Sequence, residues 1–423
     1  MRRRGWWGLA GMLLCCGFVS VTCAAQPPAQ APVLSSERWR EDLQYFAREL
    51  EQRHKNLFHS VSRAQFSAAV RSLDSAIPSL RPHQIIVRMT QITALVGDGH
   101  TGVRLPQYFT LYPIGVYWFG SELRVLGAAP GYQRAIGARV THIGGLPIDQ
   151  VDARVRSCFP SAAQENDWYV LSTSPAFLVR PEVLHTLGVV PDLAAAPFTF
   201  EDDQGERFTL AIAPIAAPPV VQGGFAIPGM QSASARQPLF RQRPGERFWF
   251  VYLPEAEAVY LSFRGYQSLG ENARSLFRFI DSTGARRLVV DLRQNGGGDF
   301  LEGRRHLILP LQRHPTLNQP GRLYVIVGRR TFSAAMANAI DFKKLTRATL
   351  VGEPVGERPN SYSENDEMTL PNSGLVVSYS TRYYKFLDQD LPAFLPDVRI
   401  DPSWPDFRAG RDPVMEWILR QAR

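Results

Sequence analysis

A multidomain α+β fold is predicted by three observations on the 423-residue chain: helical periodicity near the N-terminus, short strand-like runs between glycine turns in the middle, and α/β alternation in the C-terminal portion. With 45% apolar residues, a chain of this length can bury a large core, divided over two or three domains.

Residues 1–25 read as a cleavable export signal: Arg2, Arg3 and Arg4 precede the apolar run 6–21, and Cys23, Ala24 and Ala25 follow it. The run is short for a membrane span, so the expected mature chain is periplasmic or secreted, with no stable span. Residues 34–105 are expected to be a helical domain, because Trp39, Leu43, Phe46 and Leu50, then Phe66, Val70, Leu73 and Ile77, recur at spacings of three and four. Ser36 and Ser62 are the expected N-caps. The pattern ends at the turn-rich loop Gly97-Asp98-Gly99-His100-Thr101. Residues 106–215 are expected to be β-rich, with strand-like runs at 114–118 and 138–143 and a helical insertion around 166–190. Residues 216–245, rich in Pro, Gly and Gln, read as a linker or surface loop. Residues 246–423 form the α/β part, with buried-strand runs at 259–263, 288–292, 323–327, 348–351 and 375–379. The first four alternate with helix-like segments, which makes this the domain expected to carry chemistry.

Charge and cysteine usage exclude several classes of function. Removing the three signal arginines from the net +8 leaves 8 − 3 = +5, with no basic block interleaved with aromatics, so no nucleic-acid partner is expected. Of the four cysteines only Cys158 lies beyond the signal, so the mature chain cannot close an internal disulfide. Cys158 itself reads as a small apolar filler. Metal and cofactor chemistry find no support, since there is no His-Glu-x-x-His, paired cysteine or acidic calcium loop.

Two features point to acyl transfer. Asn295-Gly296-Gly297-Gly298 directly follows a strand, and consecutive glycines there let backbone N–H groups face a cleft, where they can hold an oxyanion. Ser333 lies between a turn and a helix predicted over 334–345, where free N–H groups favour negative charge. On position alone Ser333 is a helix cap and the glycine run a tight turn.

Together with Asp291-Leu292-Arg293-Gln294 before the glycines, Thr331-Phe332-Ser333-Ala334-Ala335, Val351-Gly352-Glu353-Pro354 and Leu395-Pro396-Asp397, these residues resemble the tail-specific (C-terminal processing) serine peptidases and the tricorn core protease. The resemblance covers about 248–401, and more loosely Asp98-Gly99-His100 and the segment 137–147, which looks like a degenerate PDZ-type element. It implies a small, mainly-β PDZ-like segment and a C-terminal α/β peptidase domain of the ClpP/crotonase kind, acting on a protein or peptide substrate. The branch with a serine-lysine dyad carries its lysine where this chain has Arg358, and arginine keeps its proton and cannot act as a base. Met336 likewise replaces the glutamate usual after that branch's nucleophile. The resemblance is therefore closer to the tricorn-like Ser-His-acid branch, which implies Ser333 as nucleophile, His100 as general base and Asp390 as the acid, with Asp388 as its alternative. Backbone N–H groups of Gly297 and Ala334 would then form the oxyanion hole. Two other functions remain open: a peptide- or ligand-binding protein of the same fold without turnover, and a hydrolase of esters or small amides.

Overall fold

The computed structural model describes residues 33–421 apart from 218–219, 222–223, 226–230 and 234–236. The expected export signal lies outside the described residues. Three helices, Ser36–Arg53, Arg63–Ala76 and Pro82–Ala94, open the chain. The first is capped one residue earlier than expected, by Ser35, whose side chain accepts the Arg38 N–H. Ser62 forms a capping box with Gln65, which satisfies two end groups reciprocally. Trp39, Leu43, Phe46 and Leu50 bury one stripe of the first helix, as their spacing requires.

The middle of the chain forms a seven-stranded sheet in which Ile114–Phe119, Glu122–Ala128, Arg139–Ile143, Ala196–Glu201 and Arg207–Ile212 pair antiparallel in turn. Helices Ile148–Val155, Asp167–Leu178 and Pro181–Thr186 are inserted between its third and fourth long strands. Among the described residues, no helix is long and apolar enough to cross a membrane.

The C-terminal sheet has six strands in the order Phe248–Leu253, Ala258–Phe263, Arg287–Asp291, Leu323–Val327, Thr349–Gly352 and Val398–Arg399. Only the first pair is antiparallel. Its strands are largely apolar because both faces are covered. Val259, Leu261, Val290 and Val325 join one core with the helices Leu269–Thr283 and Ala334–Leu345, while Tyr260, Val289, Tyr324 and Ile326 meet Val414, Met415 and Ile418 of the last helix.

The run expected at 375–379 is part of the longer strand Val376–Lys385, and it does not join this sheet. It forms a long hairpin with Asn360–Thr369, and the short strand Gly102–Val103 pairs on its other edge, Gly102 opposite Ser378 and Val103 opposite Val377. This third sheet joins residues about 275 positions apart and places the His100 loop against the C-terminal half. The hairpin's Met368, Leu370, Leu375 and Val377 lie in the same apolar cluster as the N-terminal helices and the seven-stranded sheet.

Candidate active site

The strand Leu323–Val327 ends in a turn that Thr331 fastens from two sides: its Oγ1 accepts the Gly328 N–H at 3.0 Å and donates to the Leu292 carbonyl at 2.9 Å. Phe332 N–H donates to the Asn295 carbonyl at 3.1 Å, which stitches the turn to the glycine run. Ser333 follows with φ +55° and ψ −124°, a conformation that a side-chain-bearing residue rarely adopts and that costs about 1–3 kcal/mol. It caps the helix Ala334–Leu345 by position only, since its side chain makes no capping hydrogen bond. Met336, at the place where relatives of the dyad branch carry an acid, is packed into the core.

Gly297 abuts the serine. At φ +115°, a Cβ on it would stand 2.7 Å from Ser333 Cβ, so only glycine fits. The Gly297 N–H is engaged, donating to Asn295 Oδ1 at 3.0 Å. The Ala334 N–H opens the helix and belongs to the first-turn donors that have no partner within it.

The His100 loop is built around Asp98. Its Oδ1 accepts the N–H groups of His100 (3.1 Å) and Thr101 (2.8 Å) and the Ser380 hydroxyl (2.8 Å), while its Oδ2 faces His54 Nε2 (3.0 Å) and the Thr101 hydroxyl (3.1 Å). Burial acts to raise the Asp98 carboxyl, but the hydrogen bonds from His54 and His59 outweigh it and hold the group well below the usual range. His100 itself is buried and stacked on Phe332, with ring centroids 4.6 Å apart. Burial pushes its imidazole down to about 4, against the opposing pull of Asp98. Its Nε2 meets Ser363 Oγ at 3.2 Å, and its Nδ1 faces Glu357 Oε1 at 3.7 Å.

Glu357 joins the two predicted residues. It is fully buried, its Oε2 accepts the Ser333 N–H, its Oε1 accepts the Ser361 hydroxyl at 3.3 Å, and the same oxygen looks at His100 Nδ1. Burial first, then the neighbouring Glu165, lift its carboxyl well above the ordinary value, against the Ser333 N–H and the Ser361 hydroxyl, which pull it down. Sequence reasoning passed over Glu357 although it stands beside Arg358, in the segment where the dyad branch places its base.

Asp390, the acid that the resemblance implies, lies apart from His100. Its side chain is 68% exposed and pairs with Arg358 Nη2 at 3.4 Å, and no hydrogen bond or ion pair joins it to His100. Asp388 is exposed as well. The loop that holds both faces solvent, and Arg358, which also donates to the Ala163 carbonyl at 2.8 Å, meets Asp390 there. Ser333 and His100 are thus gathered around Glu357, without a hydrogen bond between the serine hydroxyl and the imidazole.

Two other groups of side chains are of a type that carries chemistry elsewhere. Burial pushes the Cys158 thiol up to about 12, which leaves it a poor nucleophile. His54, His59 and Asp98 offer ligand atoms within 4.8 Å of one another, yet the donor set does not fit a cation. Asn56 N–H already donates to His54 Nδ1 at 3.0 Å, so His54 Nε2 carries the proton it shares with Asp98 and has no lone pair to give. A cavity of about 500 Å³ lies between the seven-stranded sheet and the α/β part, lined by Val116, Tyr117, Ala176, Arg241 and Phe407 among others; neither Ser333 nor His100 lines it.

No family model matches the chain, and no curated protein matches it. Among solved structures, mature CPAF complexed with lactacystin overlays on 92% of this chain and 98% of its own, with a TM-score of 0.61 and 11% identity. Mature CPAF without that compound gives 92% and 96%, again at a TM-score of 0.61 and 11% identity. The photosystem II D1 C-terminal processing protease overlaps more loosely, at a TM-score of 0.41 and 15% identity over 88% of this chain and 94% of its own. Across nearly all its length, the chain has the fold of mature CPAF.

Proposed function

We propose that the protein is an exported serine-type endopeptidase working through an acyl-enzyme, with Ser333 as nucleophile, His100 as general base and Glu357 as the acid behind His100. The observation that carries this reading is the position of the Glu357 carboxyl, which touches the Ser333 backbone with one oxygen and faces His100 Nδ1 with the other. The motif resemblance to tail-specific peptidases and the fold shared with mature CPAF, which binds lactacystin, support it.

In this reading Ser333 Oγ attacks the scissile carbonyl while His100 Nε2, turning from Ser363, takes the hydroxyl proton. The lowered His100 imidazole is neutral at physiological pH and free to accept it. Glu357 receives the Nδ1–H and stabilises the imidazolium, the 3.7 Å gap closing as substrate is bound. The proton passes to the leaving amine, and water repeats the sequence to release the acid. The oxyanion is received by the Ala334 N–H, and by Gly297 once its bond to Asn295 opens.

The test is labelling with a fluorophosphonate followed by peptide mapping. The modification is expected on Ser333 and absent from Ser333→Ala; a Ser333→Ala protein that still labels would sink the assignment. N-terminal sequencing of protein recovered from outside the cytoplasm should begin near Gln26 if the chain is exported. A second reading, a binding protein without turnover, is favoured by one observation: His100 hydrogen-bonds Ser363 rather than Ser333. It predicts no label on either serine and no cleavage of unfolded protein.

A further inference from the structure

The carboxyl of Glu165 is buried and bonded at both ends. Its Oε2 accepts the Gly99 N–H at 2.8 Å, immediately before His100, and its Oε1 accepts the Arg358 N–H at 2.8 Å, immediately after Glu357. One side chain therefore spans the loop that carries the proposed base and the loop that carries the proposed acid, and these loops lie more than 250 residues apart in sequence. The neighbouring residues reinforce the same junction. Tyr169 OH donates to the Gly99 carbonyl at 3.3 Å, and Asn166 Nδ2 donates to the Val355 carbonyl at 3.3 Å. A Cβ on Gly99 would lie 3.0 Å from Glu165 Oε2, so a larger residue there would push the carboxyl and its ring neighbours Phe332 and Tyr169 aside.

We infer that Glu165 is a positioning residue that sets His100 against Glu357, and that its ionisation, rather than that of His100, governs how acylation of Ser333 depends on pH near neutrality. The inference rests on the Ser333–His100 reading above. As a carboxylate, Glu165 offers a full acceptor to each N–H through charge-assisted bonds. Protonated, one oxygen becomes a hydroxyl and a poorer acceptor, and one of the two loops is released.

The groups facing Glu165 determine where it titrates. Burial is the largest influence and lifts it; the Gly99 and Arg358 N–H groups pull it down; Asp98 lifts it further, and the Arg358 charge lowers it, leaving the carboxyl at about 7. Glu357 and the phenol of Tyr169 also face it, and both are held above their ordinary values with Glu165 among the causes. Arg358 offsets little, because its guanidinium is directed to the Ala163 carbonyl and to Asp390. His100, lowered to about 4, has already lost its proton throughout this range. An ascending limb near neutrality would ordinarily be assigned to the histidine of such a site; here the carboxyl that bridges the two loops is the group that titrates in that range.

The experiment measures the rate of fluorophosphonate labelling of the whole protein between about pH 5 and about pH 9, for wild type and Glu165→Gln. The wild-type rate is expected to rise about ten- to hundredfold through neutrality, the loss that misplacing a catalytic group by a fraction of an ångström produces. In Glu165→Gln the rate should be low and flat. A wild-type profile without the limb, or a limb that persists unchanged in Glu165→Gln, overturns the inference. Should the variant not fold, wild type alone still decides: ionisation of a carboxyl has almost no enthalpy, so the midpoint of the limb should not move with temperature. A midpoint that falls on warming, as an imidazole's does, also overturns it. Wild type that takes no label on Ser333 at any pH would instead refute the reading on which the inference rests.

Discussion

A serine at φ +55° beside a glycine that tolerates no Cβ is held where its hydroxyl is not spent on capping, and the strain is offset by the turn that Thr331 and Asn295 fasten. Three substitutions separate the roles at this scale. Ser333→Ala is expected to reduce peptide hydrolysis by at least about a thousandfold, because it removes the proposed nucleophile. Ser363→Ala should keep the label on Ser333, since Ser363 meets His100 only as a resting partner at 3.2 Å. Asp390→Ala should change kcat/KM by less than about threefold, as expected for an exposed ion pair of small energetic worth. A large loss in Asp390→Ala, read from initial rates on denatured casein, would return the acid to the position that spacing suggested.

At the scale of elements, the site depends on where two turns meet the start of one helix. The helix Ala334–Leu345 is buried over most of its surface, from Ala334 to Phe342, so it offers a rigid base. Gly297→Ala adds a methyl 2.7 Å from Ser333 Cβ at a φ that disfavours alanine. It is expected to abolish labelling and to cost about 1–3 kcal/mol in denaturant unfolding. Unchanged labelling in that variant would show that the glycine turn can move away from the serine.

At the scale of the molecule, the hairpin formed by Asn360–Thr369 and Val376–Lys385 shares a core with the N-terminal helices and pairs with the strand just after His100. Leu370→Ala, at a fully buried position in that core, should destabilise the protein by about 2–5 kcal/mol and lower labelling of Ser333 under partly denaturing conditions. Two buried groups of opposite sign also shape stability against pH. His100 is lowered from 6.5 to about 4, so the unfolded chain binds the extra proton between those values, and stability is lost as pH falls through them. His83, buried against His185, is lowered to about 4, by burial first and then by the His185 charge, and acts in the same direction. Glu165 is raised from 4.5 to about 7, so the folded protein binds the extra proton, and stability is lost as pH rises through that window. Each fully buried group is worth about 3 kcal/mol at most. In their overlap the slopes oppose, so Glu165→Gln should steepen the rise of stability with pH there, while His100→Asn should reverse or flatten it. Urea midpoints at several pH values would decide; parallel curves for all three proteins would contradict the assignment.

Much of this was legible in the chain itself. The spacing of Trp39, Leu43, Phe46 and Leu50 marks the first helix, the strand 323–327 and the helix 334–345 are bounded to the residue, and the glycine turn, Ser333 and His100 stand out through the motif resemblance. These features are written in short-range periodicity and turn residues, which act within a few positions. The partner of His100 was not, because Asp390 and Glu357 are both carboxylates at reasonable spacing and sequence does not say which way a loop faces. Asp390 faces solvent beside Arg358, while Glu357 is fully buried beside Ser333 and His100. Glu165 carried no local signal at all. Its role exists only because the pairing of Gly102 with Ser378 folds the N-terminal loop onto the C-terminal half, where a buried carboxyl can accept an N–H from each. Sequence determined the elements and the candidate residues; tertiary structure decided which carboxyl is buried beside His100, since burial and long-range pairing are properties of the packed chain and not of its local order.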